Sequence, residues 1–210
     1  MIVKPKKQYT MKTLQILLRT IAWPTLSLSI IVSLVACGTH VKSEENQNTD
    51  QTVKEKTIEA PSMDIHTATV LGDLKVIQQH IDAGTDLDER EPTMGSTPLI
   101  SAAVFGRTEV ARALIEAGAD VNIQNNEGST ALHTAAFLCR TEIVEMLLAH
   151  GADKNLLNIY GSTPLASVAG PFEPVKPIYD EFSKNLGPLG FKLDYEQLEK
   201  TRPVIADMLQ

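Results

Sequence analysis

The chain has 210 residues, 43% of them apolar, enough to bury the core of one ordinary domain and leave appendages outside it. Lys4, Lys6, Lys7, Lys12 and Arg19 precede residue 37 with no acid among them, so 14 of the 19 Lys and Arg face all 26 Asp and Glu beyond that point, a net charge of about −12. That balance argues against nucleic acid as a partner, because binding to phosphate is dominated by basic contacts.

Residues 1–36 have the three parts of an export signal. A basic stretch leads into Ile21 to Ala36, sixteen mostly apolar residues interrupted by Pro24 and several serines, which is short for a membrane span. Met11-Lys12 also reads as a start, since MKTLQILLR is a more usual beginning for such a signal. Leu34-Val35-Ala36-Cys37 resembles the bacterial lipobox. The resemblance implies that the Cys37 thiol takes a diacylglycerol, that the preceding peptide is removed, and that the new amino terminus is acylated too. One acyl chain gives marginal membrane binding and several give stable anchoring, so Cys37 would serve as the membrane anchor without a transmembrane helix. Two other readings of Cys37 fit less well. An uncleaved anchor needs a longer apolar span, and a core thiol needs a fold around it. Gly38 is not the aspartate that retains enterobacterial lipoproteins in the inner membrane, so the resemblance points to the outer membrane and the periplasmic face of the envelope.

Residues 38–62 are rich in Thr, Glu, Lys, Asn and Gln and carry no aromatic residue or apolar period, the composition of a disordered tether spanning about 25 to 30 Å. Behind Cys37 they act as a spacer.

From residue 63 the sequence repeats itself. Gly95-Ser96-Thr97-Pro98-Leu99 returns as Gly128-Ser129-Thr130-Ala131-Leu132 and again as Gly161-Ser162-Thr163-Pro164-Leu165, at intervals of 33 residues. Gly118-Ala119-Asp120-Val121-Asn122 returns in the same phase as Gly151-Ala152-Asp153-Lys154-Asn155. Period and words resemble ankyrin repeats. The fold implied is an all-α ankyrin-repeat solenoid over residues 63–210, with repeats at about 63–95, 96–128, 129–161 and 162–210.

The residues carry the reading locally as well. Thr97 and Thr163 are placed to cap helices that begin with Pro98 and Pro164, where a missing amide does no harm; Ala131 stands in for that proline in the middle unit. Ala102-Ala103 and Ala135-Ala136 allow inner helices to approach closely. Gly106 ends one inner helix, and Val110, Leu114 and Ile115 follow helical spacing in the outer helix behind it, as Ile143, Val144, Leu147 and Leu148 do in the next unit. A first unit is recognisable in Ile65 to Asp86 without the TPL word, as expected of a terminal repeat. The fourth departs after Ala169. Gly170-Pro171 breaks its helix, and residues 171–200 read as an insertion with a helix near Pro177 to Asn185 and a second segment near Asp194 to Lys200, before Thr201 to Leu209 returns as the outer helix.

No phosphate loop, metal-ligand spacing or nucleophile motif occurs, so neither catalytic residue nor cofactor is expected. His133 follows the TPL word where the family has a structural hydrogen-bonding histidine. Cys139 occupies the position of Gly106, which ordinarily wants positive φ; with Cys37 acylated it reads as a strained, inert thiol. The clustered candidates for a hidden enzyme are Asp180, Glu181, Asp194 and Tyr195, which also read as a solvated helix face.

Function is therefore expected on the surface. Ankyrin arrays bind other proteins on a concave face made of inner helices and turn tips, and the resemblance places the variable positions at Arg90, Thr93, Val104, Phe105, Gln124, Asn126, Glu127, Ser129, Phe137, Leu138, Leu157, Ile159 and Tyr160. Phe105, Phe137, Leu157, Ile159 and Tyr160 are apolar where solvated residues are usual, which makes them expected binding anchors. Two bland alternatives stand beside this: Leu157, Ile159 and Tyr160 packing on the insertion, and Phe105 stacking on Phe137. The expected whole is a monomeric, lipid-anchored periplasmic protein that binds another protein, such as a secreted toxin or a periplasmic enzyme. Immunity to an antibacterial toxin, for instance a secreted phospholipase, is one form; an envelope scaffold active in stress is the other.

Overall fold

A computed structural model describes residues 59–210, so the export signal, Cys37 and the tether up to residue 58 lie outside the described residues. Among the described residues regular structure is helical throughout. Three helix pairs follow in order: α1 (Ile65–Leu71) with α2 (Leu74–Asp82), α3 (Pro98–Phe105) with α4 (Thr108–Glu116), and α5 (Ala131–Phe137) with α6 (Thr141–Ala149).

Each inner helix starts where a side chain closes its first turn. The Thr97, Thr130 and Thr163 hydroxyls accept from the amides of Ile100, His133 and Ala166, and Asp64 does the same for Thr67 at the head of α1. Each such cap is worth about 1 kcal/mol. Behind the caps Leu99, Ala102 and Ala103 of α3, and Leu132, Ala135 and Ala136 of α5, are almost fully buried. The small residues let consecutive inner helices touch along their length, while Val110, Leu114, Ile143 and Leu147 close the core from the outer helices. Gly106 ends α3 at φ 63°, and Cys139 takes the same left-handed conformation at φ 53° behind α5, as its alignment with glycine predicts.

Arginines tie the units together. Arg107 Nε donates to the carbonyl oxygen of Val70 at 2.9 Å, and Arg140 Nη2 to that of Val104 at 3.2 Å, so the first arginine after each pair's inner helix closes the C-terminal end of the inner helix before it. At the next such carbonyl, Phe137, the donor is the Tyr179 hydroxyl at 2.6 Å, itself a hydrogen-bond acceptor for Arg202 Nη1 at 2.9 Å.

Tyr179 belongs to the segment that interrupts the fourth unit. After α7 (Pro164–Val168) come a single 3-10 turn (Glu173–Val175), α8 (Lys176–Leu186), a second 3-10 turn (Gly187–Leu189) and α9 (Tyr195–Leu209). The expected helix near 177–185 is present. The expected break before Thr201 is not: α9 is one helix of 15 residues with Pro203 inside it. Asp194 caps it by accepting from Gln197 N at 3.0 Å; Pro203 lies in its interior with the ring exposed to solvent and has no N–H to give to the carbonyl of Glu199. The segment builds a second core of Leu138, Phe172, Tyr179, Phe191 and Leu198, with Phe105, Phe137 and Phe182 packed against it.

Candidate functional site

The turns between pairs form a row in which each reaches the next. In each, one side chain supports the loop: the Asn125 side-chain oxygen accepts from the amides of Glu127 and Ser129, and that of Asn158 from Tyr160 and Ser162. The second turn then donates to the first through Asn126 N to Met94 O at 2.9 Å, and the third to the second through Ile159 N to Glu127 O at 2.9 Å.

Four residues expected to bind a partner help to hold this row. Arg90 Nη2 donates to the Asn126 side-chain oxygen at 3.3 Å and Arg90 Nε to Gly95 O at 2.9 Å. Gln124 Nε2 donates to Gly128 O at 2.6 Å and across to Leu157 O at 3.0 Å. Asn126 Nδ2 reaches Thr93 O at 3.4 Å, and Glu127 sits against the Tyr160 hydroxyl. Burial raises the Glu127 carboxyl above its usual range, an effect the Tyr160 hydrogen bond only partly offsets, and burial with the Glu127 charge raises the Tyr160 phenol.

Leu157, Ile159 and Tyr160 stand out on the third turn at 56%, 66% and 57% exposure. They do not pack under the insertion, so that alternative is corrected. The insertion covers other candidates instead. Phe105 meets Phe191 edge-on at 6.2 Å, Phe137 stacks on Tyr179 at 4.5 Å, and Leu138 is 1% exposed. Leu138, expected at a variable binding position, is therefore corrected to core, while Phe105 and Phe137 are half-buried against aromatic rings supplied by residues 171–200, and neither phenylalanine needs the other as a partner.

Sequence reasoning missed Glu91, whose carboxylate accepts from the amides of Thr93, Met94 and Ser96 at 2.7, 2.7 and 3.1 Å. Burial pushes this carboxyl up, but the three amides outweigh it and hold it below the usual range. The available signal was a glutamate within one residue of the place that the period assigns to the supporting asparagine, in a turn that lacks Asn. Tyr179 and Arg202 were missed too, since nothing in their local sequence marks them.

Of the acids named for a hidden enzyme, Asp180 and Tyr195 do meet, the phenol donating to Asp180 Oδ1 at 2.8 Å, while Asp194 is committed to capping α9. A cavity of about 80 Å³ beside them, lined by Leu138, Cys139, Arg140, Leu193, Asp194, Gln197 and Leu198, is far below the size of an organic ligand site. Burial lifts the Cys139 thiol to about 11, against the pull of Arg202 and Arg140. Among the described residues no group of His, Cys, Asp and Glu converges to hold a metal ion. His133 has a structural part: its Nδ1 accepts from Thr130 N at 3.2 Å, and its Nε2 lies 3.0 Å from Ser162 O in the following unit, which assigns the proton to Nε2.

Comparison with known proteins agrees with the helical pattern. The family model described as "Ankyrin repeats (3 copies)" matches residues 65–158. The human "DNA-binding protein RFXANK" is 38% identical over 66 residues, 31% of this chain and 25% of that protein, and chicken "Inversin" is 37% identical over 59 residues, 28% of this chain and 5% of that protein. The chain thus spans a quarter or less of the length of these curated relatives. A solved structure of the ankyrin repeat domain of Bcl-3 aligns with 49% of this chain and 45% of its own, at a TM-score of 0.48 and 32% identity. Residues 65–158 thus match ankyrin repeats in sequence, and the three helix pairs lie within them.

Proposed function

We propose that this chain is a lipid-anchored protein-binding module on the periplasmic face of a bacterial envelope, and that it acts by covering a secreted protein, an antibacterial toxin being the form of partner we favour. The observation that carries the reading is the run Leu157, Ile159 and Tyr160, more than half exposed on a turn whose counterparts in the preceding turns include Arg90, Gln124, Asn126 and Glu127. Exposed apolar clusters of this kind mark interaction sites. The Leu34-Val35-Ala36-Cys37 word supports the anchor, and the acidic balance beyond it supports a basic or membrane-seeking partner, for which charge complementarity speeds encounter.

The test is capture from native envelope and secreted fractions with the tagged mature protein, beside the variant Leu157→Gln, Ile159→Asn, Tyr160→Glu, which gives the third turn the residues of the second. One secreted protein held by the natural chain and lost by the variant is the expected result. Equal capture of many proteins by both forms overturns it. Incorporation of labelled palmitate into the chain, abolished by Cys37→Ser, tests the anchor separately.

A further inference from the structure

The row of turns has two ends, and they are finished differently. At the first turn every amide from Glu91 to Ser96 is occupied: Glu91 N donates to Ser96 O, Gly95 N to Glu91 O, and Thr93, Met94 and Ser96 to the Glu91 carboxylate, while Pro92 has none to offer. The third turn ends open. In register with Met94 O and Glu127 O, the acceptors for Asn126 and Ile159, stands Tyr160 O, to which no group among the described residues donates. The space beside it is open too. A Cβ built on Gly95 would strike the Asn126 side chain and one on Gly128 would lie 3.1 Å from Asn158 Cα and Ile159 N, because the next turn lies across each; one on Gly161 would meet nothing within 4 Å.

A terminal repeat ordinarily turns polar where its neighbour is missing. Here the change runs the other way, from Gln124, Asn126 and Glu127 to Leu157, Ile159 and Tyr160, on the turn that has no successor. We infer that this open edge takes an extended segment of a partner protein that donates a backbone amide to Tyr160 O, lays apolar side chains on Leu157 and Ile159, and carries basic residues. The inference rests on the protein-binding reading above and names how that site binds.

A second copy of the chain does not supply what is needed. The amides of Asn158, Ile159, Tyr160, Gly161 and Ser162 are used within the array, as are those from Glu91 to Ser96, so these stretches of another copy have no N–H to give. The basic character follows from charge. Beyond residue 36 the chain has 14 Lys and Arg against 26 acids, and Arg107 and Arg140 direct their guanidinium groups to carbonyls of the preceding unit and Arg202 to carbonyls of its own, which leaves the outside still more acidic. Main-chain pairing supplies affinity and side-chain pockets supply specificity in this mode of recognition.

The probe is a blocked eleven-residue peptide of alternating valine and lysine, titrated into the full chain carrying Cys37→Ser and read by fluorescence anisotropy and by amide shifts. The controls are the same peptide N-methylated at alternate residues and its glutamate counterpart. Expected are binding with shifts centred on residues 157–162, and a loss of about tenfold or more on N-methylation, with the glutamate peptide, and with the variant Leu157→Gln, Ile159→Asn, Tyr160→Glu. Absence of binding up to about 1 mM, equal binding of the N-methylated peptide, or shifts over the aromatic insertion would overturn the inference. So would concentration-dependent dimerisation in sedimentation that the triple variant abolishes, since a second copy would then be the occupant. An empty capture from secreted fractions defeats the functional reading while leaving a peptide bound at residues 157–162 to stand on its own.

Discussion

The Tyr179 hydroxyl donates to the Phe137 carbonyl oxygen at 2.6 Å, at the place where arginines of the preceding units meet Val70 and Val104. The insertion moves the fourth unit's arginine 29 residues further along than the repeat would put it, and a tyrosine bridges the gap: Arg202 donates to Tyr179, and Tyr179 to the carbonyl. The residues inserted into the repeat thus restore the contact that their insertion would break. Tyr179→Phe keeps the ring on Phe137 but leaves a part-buried carbonyl and one buried Arg202 N–H without partners. A loss of about 2–3 kcal/mol in urea unfolding is expected; a change within about 0.5 kcal/mol would show the bridge to be incidental.

His133 makes stability depend on pH. Burial lowers its pKa, with the Ser162 carbonyl only partly opposing, so the imidazole remains neutral in the fold while the unfolded chain titrates at its ordinary value. The unfolded state therefore binds more protons as pH falls below about 6.5, and stability present above that value is lost as pH drops toward the folded pKa. Thermal unfolding between pH 7.5 and 5 should show a fall that is shallower in His133→Gln. Parallel curves for the two chains would remove His133 as the source.

The Cys139 thiol should be slow to react. Its pKa of about 11, against an ordinary value of 9.0, cuts the thiolate fraction near pH 8 by roughly a hundredfold. In the Cys37→Ser chain, modification by a chromogenic disulfide should proceed that much more slowly in buffer than in denaturant. Equal rates would mean that the left-handed turn opens freely.

His66 occupies the place held by Leu99 and Leu132 in the next two units, yet both of its ring nitrogens are buried without a hydrogen-bond partner among the described residues. An unsatisfied buried polar atom costs about 1–3 kcal/mol, so His66→Leu should stabilise the first unit by about 1 kcal/mol or more. Chemical denaturation decides it, and a destabilised variant would show that the imidazole has a partner in solution.

Much of the fold was legible because ankyrin units repeat their instructions. Thr97, Thr130 and Thr163 announce helix starts, Gly106 an end, and the in-phase Gly118 and Gly151 words fix the period. Even the positive φ of Cys139 could be read, since its neighbours at that position are glycines. The insertion could not be read in this way. Phe172, Tyr179 and Phe191 are ordinary apolar residues whose partners, Phe137 and Leu138, lie more than thirty residues away and belong to a unit that already looked complete. Two of the expected anchors are half-covered for the same reason: an aromatic residue on an inner helix looks alike whether it awaits a partner or is covered by its own chain. The third turn kept its exposed residues because nothing in 171–200 reaches it. Its open edge was invisible in sequence, where Gly161 reads the same as Gly95 and Gly128.

The Tyr179 bridge also sets an order of assembly. Within the repeats each arginine finds its carbonyl 36 or 37 residues back, and every unit needs only its neighbour. Phe137 must wait 42 residues for Tyr179, and Tyr179 a further 23 for Arg202. During synthesis the repeats emerge before residues 171–200 do. The units can zip up one after another while Phe105, Phe137 and Leu138 are still bare, and the aromatic cluster closes over them as the final event, so a chaperone or protease that reads exposed phenylalanine would have a direct gauge of whether this protein has finished folding.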